Sequence, residues 1–506
     1  MQTAQWWRTA VIYEIYIRSF ADGNGDGIGD MTGLTSRLPY LRHLGIDAIW
    51  LTPFYRSPMR DGGYDVADYR DVDPRVGNLS DFDAMVTAAH AEGIRVVVDI
   101  VPNHSSSEHP WFQAALAAGP GSVERDRYIF RPSGPDGGPP NDWQSVFGGA
   151  AWTQVADGEW YLHLFDTSQP DFNWANPEVR AEFESILRFW LDRGVDGFRI
   201  DVAHGMVKAA GLPSVGGAHA GLLEQTTLPY WDQDEVHEIY RNWRKILDSY
   251  TGDRMAVAEA WVSSPERLAR YIGPDELNQA FNFDFLLASW DAGSFRRVID
   301  SSRAAAGIVG APTTWVLSNH DKQRHRTRYG SLQRARAAAL LMLALPGSAY
   351  LYQGEELGLP EVFDLPDDVR EDPVWFRSGG TDKGRDGCRV PLPWSGEAPP
   401  FGFSEGPSSW LPIPADWSSM TVEAETADPD STLSLYRTAL GLRRTMLTGD
   451  MRWLDTPDGV LGFERADGSR CFVNFGAEPF PLPGQPKLTS GPLVDGGLPT
   501  DTAAWL

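Results

Sequence analysis

GFRID, residues 197–201, closes an apolar run with Arg199 and Asp201 two positions apart. On a strand that spacing puts both side chains on one face. The same form recurs three times: DIVPNH at 99–104, VAEAW at 257–261 and SNHD at 318–321 each carry a β-rich stretch straight into charged residues. Taken alone, an Asp or His after a strand is an ordinary turn former or helix cap. Four such segments together place Asp99, His104, Arg199, Asp201, Glu259, His320 and Asp321 at separate strand ends, which points to chemistry at one rim of a parallel barrel.

Outward from these segments, strand-like runs recur at 11–17, 46–51, 94–101, 197–202, 255–260, 280–285, 314–318 and 349–352, with helical patterns between them. Eight such runs predict a closed (β/α)8 TIM barrel, of α/β class. Leu34, Leu38, Leu41 and Leu44 share one helical face, and Asn176-Pro177 starts a helix striped by Val179, Phe183, Ile186, Leu187 and Trp190. From Asn103 to Gln169 the periodicity gives way to Gly, Pro and aromatic residues over a length no ordinary strand-to-helix loop needs. The division expected is barrel over 1–102, an inserted subdomain over 103–170, and barrel again over 171–430. A further insertion is expected at about 356–417. A linking helix and an antiparallel β domain then fill 431–506.

Composition narrows the partners. Lys plus Arg number 44 against 69 Asp plus Glu, a net charge of −25, which disfavours nucleic acid and anionic membranes and suits a small neutral substrate. The 20 Trp and 12% aromatic content provide faces on which sugar rings stack, although many must be core. Two cysteines, Cys388 and Cys471, are too few for a disulfide framework. The opening MQTAQWWRTAVIYEIYIRSF lacks signal-peptide form, and the longest apolar run is about half a membrane span, so a cytoplasmic protein is expected.

The order and wording of the four segments resemble the α-amylase family of glycoside hydrolases, and the resemblance covers nearly the whole chain. QPDFN at 169–173, NDWQSVFGGAAW at 141–152 and GRDGCRVPLPW at 384–394 are most similar to its exo-acting α-glucosidases and oligo-1,6-glucosidases. The resemblance implies that Asp201 is the nucleophile, Glu259 the acid/base and Asp321 the third carboxylate. Retaining hydrolysis needs two such carboxyl groups roughly 5–5.5 Å apart, which neighbouring strands supply. Arg199 beside Asp201 favours an ionised nucleophile, and Ala258, Ala260 and Trp261 around Glu259 disfavour its charged form. His104 and His320 are expected to meet sugar hydroxyls, Asp61 to grip a terminal hydroxyl and Tyr64 to form a stacking floor. Phe147 is expected as a wall, and Arg389 matches the arginine with which this branch closes its pocket. Asp99 and Asn103 are expected to brace Arg199 and the inserted subdomain. His204 has no assigned role.

DGNGDGIGD spaces Asp22, Asn24, Asp26 and Asp30 with the carbonyl of Ile28, an oxygen-rich set suited to a structural Ca²⁺. The twelfth position is Gly33, where an EF-hand needs Glu, so a calcium loop of another kind is expected, as in family members that carry one. No organic cofactor is expected. The activity expected is a retaining exo-α-glucosidase acting on short maltose-type substrates, with transglucosylation. Val202, directly after Asp201, matches the 1,6-preferring branch, so an oligo-1,6-glucosidase or a sucrose hydrolase or isomerase are the alternatives. A non-catalytic binding domain of the same fold would lack the acids that are present here.

Overall fold

The computed structural model describes residues 5–217 and 228–506; the first four residues and 218–227, within the stretches read above as the chain start and the second barrel segment, lie outside it. Eight parallel strands form one sheet: β1 Val11–Ile15, β2 Ala48–Leu51, β3 Arg95–Ile100, β4 Gly197–Ile200, β5 Met255–Ala258, β6 Gln279–Ala280, β7 Thr314–Val316 and β8 Ser348–Tyr352. Their order is β6-β5-β4-β3-β2-β1-β8-β7, a nearly closed barrel whose remaining seam, between β6 and β7, is bridged by the Thr314 hydroxyl donating to the Ala280 carbonyl. The expected sixth strand at 280–285 is corrected: Phe283–Leu287 is a short helix capped by Asn282, because an apolar run bearing a cap residue serves a helical turn as well as a strand.

Alternation along the strands builds two cores. Ile12, Trp50, Val97, Val257, Val316 and Tyr350 fill the barrel interior, while Val11, Tyr13, Ile15, Ile49 and Leu51 face the surrounding helices. Leu34, Leu38, Leu41 and Leu44 are buried on helix Met31–Leu44 as their spacing predicts. Asn176 accepts from the Glu178 amide to start helix Pro177–Asp192, whose five-residue stripe is also buried. Within the long stretch after β3, Phe130–Arg131, Trp152–Gln154 and Trp160–Leu162 form a small antiparallel sheet. Helix Thr432–Arg443, capped by Ser431, leads to a five-stranded antiparallel sheet in the tail. Cys388 and Cys471 are both buried and unpaired. Among the described residues no helix is long and apolar enough to cross a membrane.

The junction of barrel and linking helix stores a pH dependence. Tyr436 of that helix donates to Glu355 Oε1 at 2.9 Å, and burial pushes the Glu355 carboxyl up to about 8; burial likewise raises Glu425 and Asp99, each to about 7. These groups keep protons in the fold that the unfolded chain loses near pH 4, so their contribution is full below pH 4 and is lost as pH rises through 7–8, at about 1.4 kcal/mol per pH unit for each group. Burial pushes His104, His109 and His163 down to about 4, and their contribution, full above about 6.5, is lost only as pH falls. Above pH 6.5 the acids act alone. The Tm is therefore expected to fall from pH 6.5 to 8.5, and Glu355→Gln to flatten that fall, measured by calorimetry in matched salt.

Candidate active site

Arg199 on β4 organises the barrel mouth. One end of its guanidinium donates to Asp201 Oδ1 at 2.6 Å and to Asp99 Oδ1 at 3.0 Å, and the other to Glu259 Oε2 at 2.6 Å. Asp201 and Glu259 follow adjacent paired strands, with Arg199 opposite Val257 in the register, and Arg199 holds both carboxyl groups. The expected apolar setting of Glu259 is corrected. Its Oε1 accepts from the Trp261 indole at 3.0 Å and its Oε2 also from the Val202 amide at 3.1 Å.

That amide is aimed by backbone strain: Val202 has φ 43°, a left-handed conformation that costs a β-branched residue on the order of 1–3 kcal/mol. Burial raises the Asp201 carboxyl, Arg199 opposes the rise, and the neighbouring Glu259 and Asp99 add to it. One guanidinium is thus divided among three buried acids, Asp99, Asp201 and Glu259.

Asp61, Tyr64, His104, Phe147, Asp201, Glu259 and Asp321 line one cavity, as their sequence contexts predict. His320 and Arg389 do not line it. His320 sits behind Tyr64, stacked on that ring at 5.3 Å between centroids, with Nδ1 2.5 Å from Glu14 and Nε2 2.7 Å from the Tyr64 hydroxyl. Both ring nitrogens are thus engaged by protein side chains. Burial holds the imidazole well below its usual range and therefore neutral. Arg389 donates to the His320 carbonyl at 2.9 Å and to Asp321 Oδ1 at 3.1 Å; it orients Asp321 from behind.

The arginine inside the cavity is Arg385, which the sequence reading missed. It donates to Asp61 Oδ1 at 2.7 Å, Asp321 Oδ1 at 3.1 Å and Asp372 Oδ2 at 2.6 Å, and covers the Phe147 ring at 5.4 Å. Gln169 donates to the other oxygen of Asp61 at 3.0 Å. Although burial works the other way, the Arg385, Arg389 and Arg199 cations hold the Asp321 carboxyl well below the usual range. Asp321 is thus a fixed negative charge beside the paired carboxyl groups.

Two further residues escaped the sequence. His204 lines the cavity with its Nδ1 unpartnered, its ring 4.6 Å from that of Trp231. Lys208, buried, is 2.8 Å from Asp171 Oδ2 and donates to Asn103 Oδ1 at 2.8 Å. Asn103 also donates to Asp171 at 3.2 Å, tying the stretch after β3 to the QPDFN segment.

The Asp61–Arg385 bridge predicts separable kinetic effects. Arg385→Ala removes a charged wall and is expected to raise KM by roughly 30- to 100-fold, the effect of about 2–3 kcal/mol of charge-assisted hydrogen bonding. Arg389→Ala loosens Asp321 and the His320 backbone behind it and is expected to lower kcat with a smaller change in KM. Initial-rate kinetics on a short α-glucoside separate the two.

In the loop at 22–30, Asp22 accepts from the amides of Asn24, Gly25 and Gly27, Asn24 from Asp26, and Asp26 from Ile28. Asp30 accepts from Gly23 and caps the following helix through Gly33. A Cβ at Gly33 would lie 2.1 Å from the Ala21 carbonyl oxygen, so no Glu fits there. Among the described residues no three His, Cys, Asp or Glu side chains are grouped closely enough to hold a metal ion; burial, then the charges of Asp22 and Asp26, raise the Asp30 carboxyl despite its amide donors.

Paired carboxyl groups at adjacent strand ends, a third acid beside them and a walled cavity define a glycoside hydrolase on a βα barrel. The chain belongs to the alpha-amylase family: the model of the alpha amylase catalytic domain matches residues 14–449. It is 38% identical to a probable alpha-glucosidase of Rhizobium meliloti, over 94% of this chain and 90% of that one. With an oligo-1,6-glucosidase of Parageobacillus thermoglucosidasius it shares 37% identity, over 87% and 84% of the two chains. The crystal structure of the alpha-glucosyl transfer enzyme XgtA superimposes with a TM-score of 0.89 at 36% identity, covering 99% of this chain and 100% of that one.

Proposed function

We propose that the protein is a retaining exo-α-glucosidase that removes glucose from the non-reducing ends of short neutral α-glucosides, maltose-type substrates foremost. The observation that carries this reading is the Asp61–Arg385 bridge, which lies in the lining of the same cavity as Asp201 and Glu259. In the first step Asp201 attacks the anomeric carbon, the glycosidic C–O bond breaks, and the departing oxygen takes the proton from Glu259. In the second, Glu259 takes a proton from water, which attacks the same carbon and releases Asp201. Asp321 stabilises the positive charge that develops on the ring. Tyr64 is the floor, and Asp61, His104, Phe147 and Arg385 fix the glucose. A second sugar in place of water gives transglucosylation, and His204 with Trp231 faces that incoming group.

The test is a panel of maltose, isomaltose, sucrose and maltoheptaose, followed by chromatography. Glucose as the first product from maltoheptaose supports the reading. Internal fragments, or no glucose from any substrate, would overturn it. Rates on isomaltose above those on maltose would move the assignment to oligo-1,6-glucosidase, which Val202 favours.

We further propose that Asp22, Asn24, Asp26, Asp30 and the Ile28 carbonyl hold a structural Ca²⁺ and that the protein resides in the cytoplasm, where two unpaired buried cysteines are stable. Adding a calcium chelator is expected to lower the Tm by several degrees, by mass action, and Asp26→Asn to abolish that response. An unchanged melt with chelator would remove the ion from the account.

A further inference from the structure

A second cleft, of about 640 Å³, opens on the face of the barrel opposite the catalytic pocket. Val11, Asp47, Thr313 and Gly347, which line it, lie at or just before the N-terminal ends of β1, β2, β7 and β8. Its lining carries five guanidinium groups, of Arg8, Arg303, Arg443, Arg444 and Arg465, against the carboxylates of Asp47 and Asp450. On a chain of net charge −25 such a concentration of positive charge is local and only partly compensated.

Arg303 pairs with Asp450, and Arg444 lies 3.3 Å from Asp47. The other three form no ion pair among the described residues, although Asp47 acts on Arg443 and Asp467 and Asp450 act on Arg465 at longer range. Arg465 is buried at 6% exposure, yet it donates only to the carbonyls of Ala344 and Gly449. Arg443 donates to the carbonyls of Leu343, Leu345 and Gly347, and Arg8 to Gly310 and the Gln5 amide oxygen. Burial depresses Arg443 and Arg465, each to about 10, with mutual repulsion adding to the effect on Arg443. Planar guanidinium groups converging on one cleft, three of them outside any ion pair, are suited to the oxygens of a phosphate.

We propose that this cleft is a binding site for a small phosphate-bearing anion, separate from the catalytic pocket. The test titrates the full chain with inorganic phosphate and with glucose 6-phosphate, against chloride at matched ionic strength, by calorimetry and thermal shift. Saturable binding of either phosphate, absent with chloride, is expected. Arg8→Glu, at the rim, should weaken it about tenfold or more through reversed charge. Asp450→Asn, which frees Arg303, should tighten it several-fold, an outcome that loss of folding cannot imitate. Tighter binding of glucose 6-phosphate identifies a phosphate monoester as the ligand, and equal binding identifies inorganic phosphate. Equal response to chloride, affinities unchanged in both variants, or binding abolished instead by Arg385→Ala in the catalytic pocket would each overturn the proposal.

Discussion

Asp201→Asn is expected to lower kcat by roughly 10⁴-fold or more, about 5.5 kcal/mol of barrier, while leaving the fold intact. The amide keeps the shape of the carboxyl group and can still accept from Arg199, which stands 2.6 Å away, but it cannot form the glucosyl ester on which the two-step reaction depends. It also removes one of three acids crowded on a single guanidinium, so the Tm should hold or rise. Rates on an aryl α-glucoside, with a melt of the same sample, check both parts. Wild-type turnover in this variant would end the mechanism.

Glu259→Gln is expected to produce a different signature. Rates on disaccharides should fall by about 10³-fold, within the range of general acid–base catalysis. An aryl glucoside with a good leaving group needs no proton, so its first step should be largely spared. The glucosyl-enzyme then accumulates because water has lost its base, giving a burst of aglycone, and azide, which needs no base, should restore turnover. The pH profile also has a sign. Glu259 is among the groups that raise the Asp201 carboxyl, so its loss should move the acidic limb of kcat/KM to lower pH. Equal losses on all substrates, with no burst and no azide response, would contradict the acid/base role.

The parts of this site legible in the sequence are those fixed by strand geometry. Arg199 and Asp201 are two residues apart on β4, so their shared face follows from the period of a strand, and the strand ends at 99–104, 257–261 and 318–321 deliver their acids to the same rim. The choice between Arg385 and Arg389 was not legible. Both sit in an irregular stretch after β8, where no period says which side chain faces inward; the turn at Asp386–Cys388 and the anchor to Asp372 decide it. The same holds for Glu14, an interior charge in a strand that reads as core, which claims the ring nitrogen of His320. Adjacency in sequence shows one acid beside Arg199, whereas the fold brings three.

The central claim is tested most directly by trapping the intermediate with 5-fluoro-α-D-glucosyl fluoride, whose ring fluorine slows release of the sugar from the enzyme. Mass spectrometry of the peptides should find one fluoroglucosyl group, on the carboxyl of Asp201. A label on another residue, or inactivation with no covalent adduct, would contradict the account.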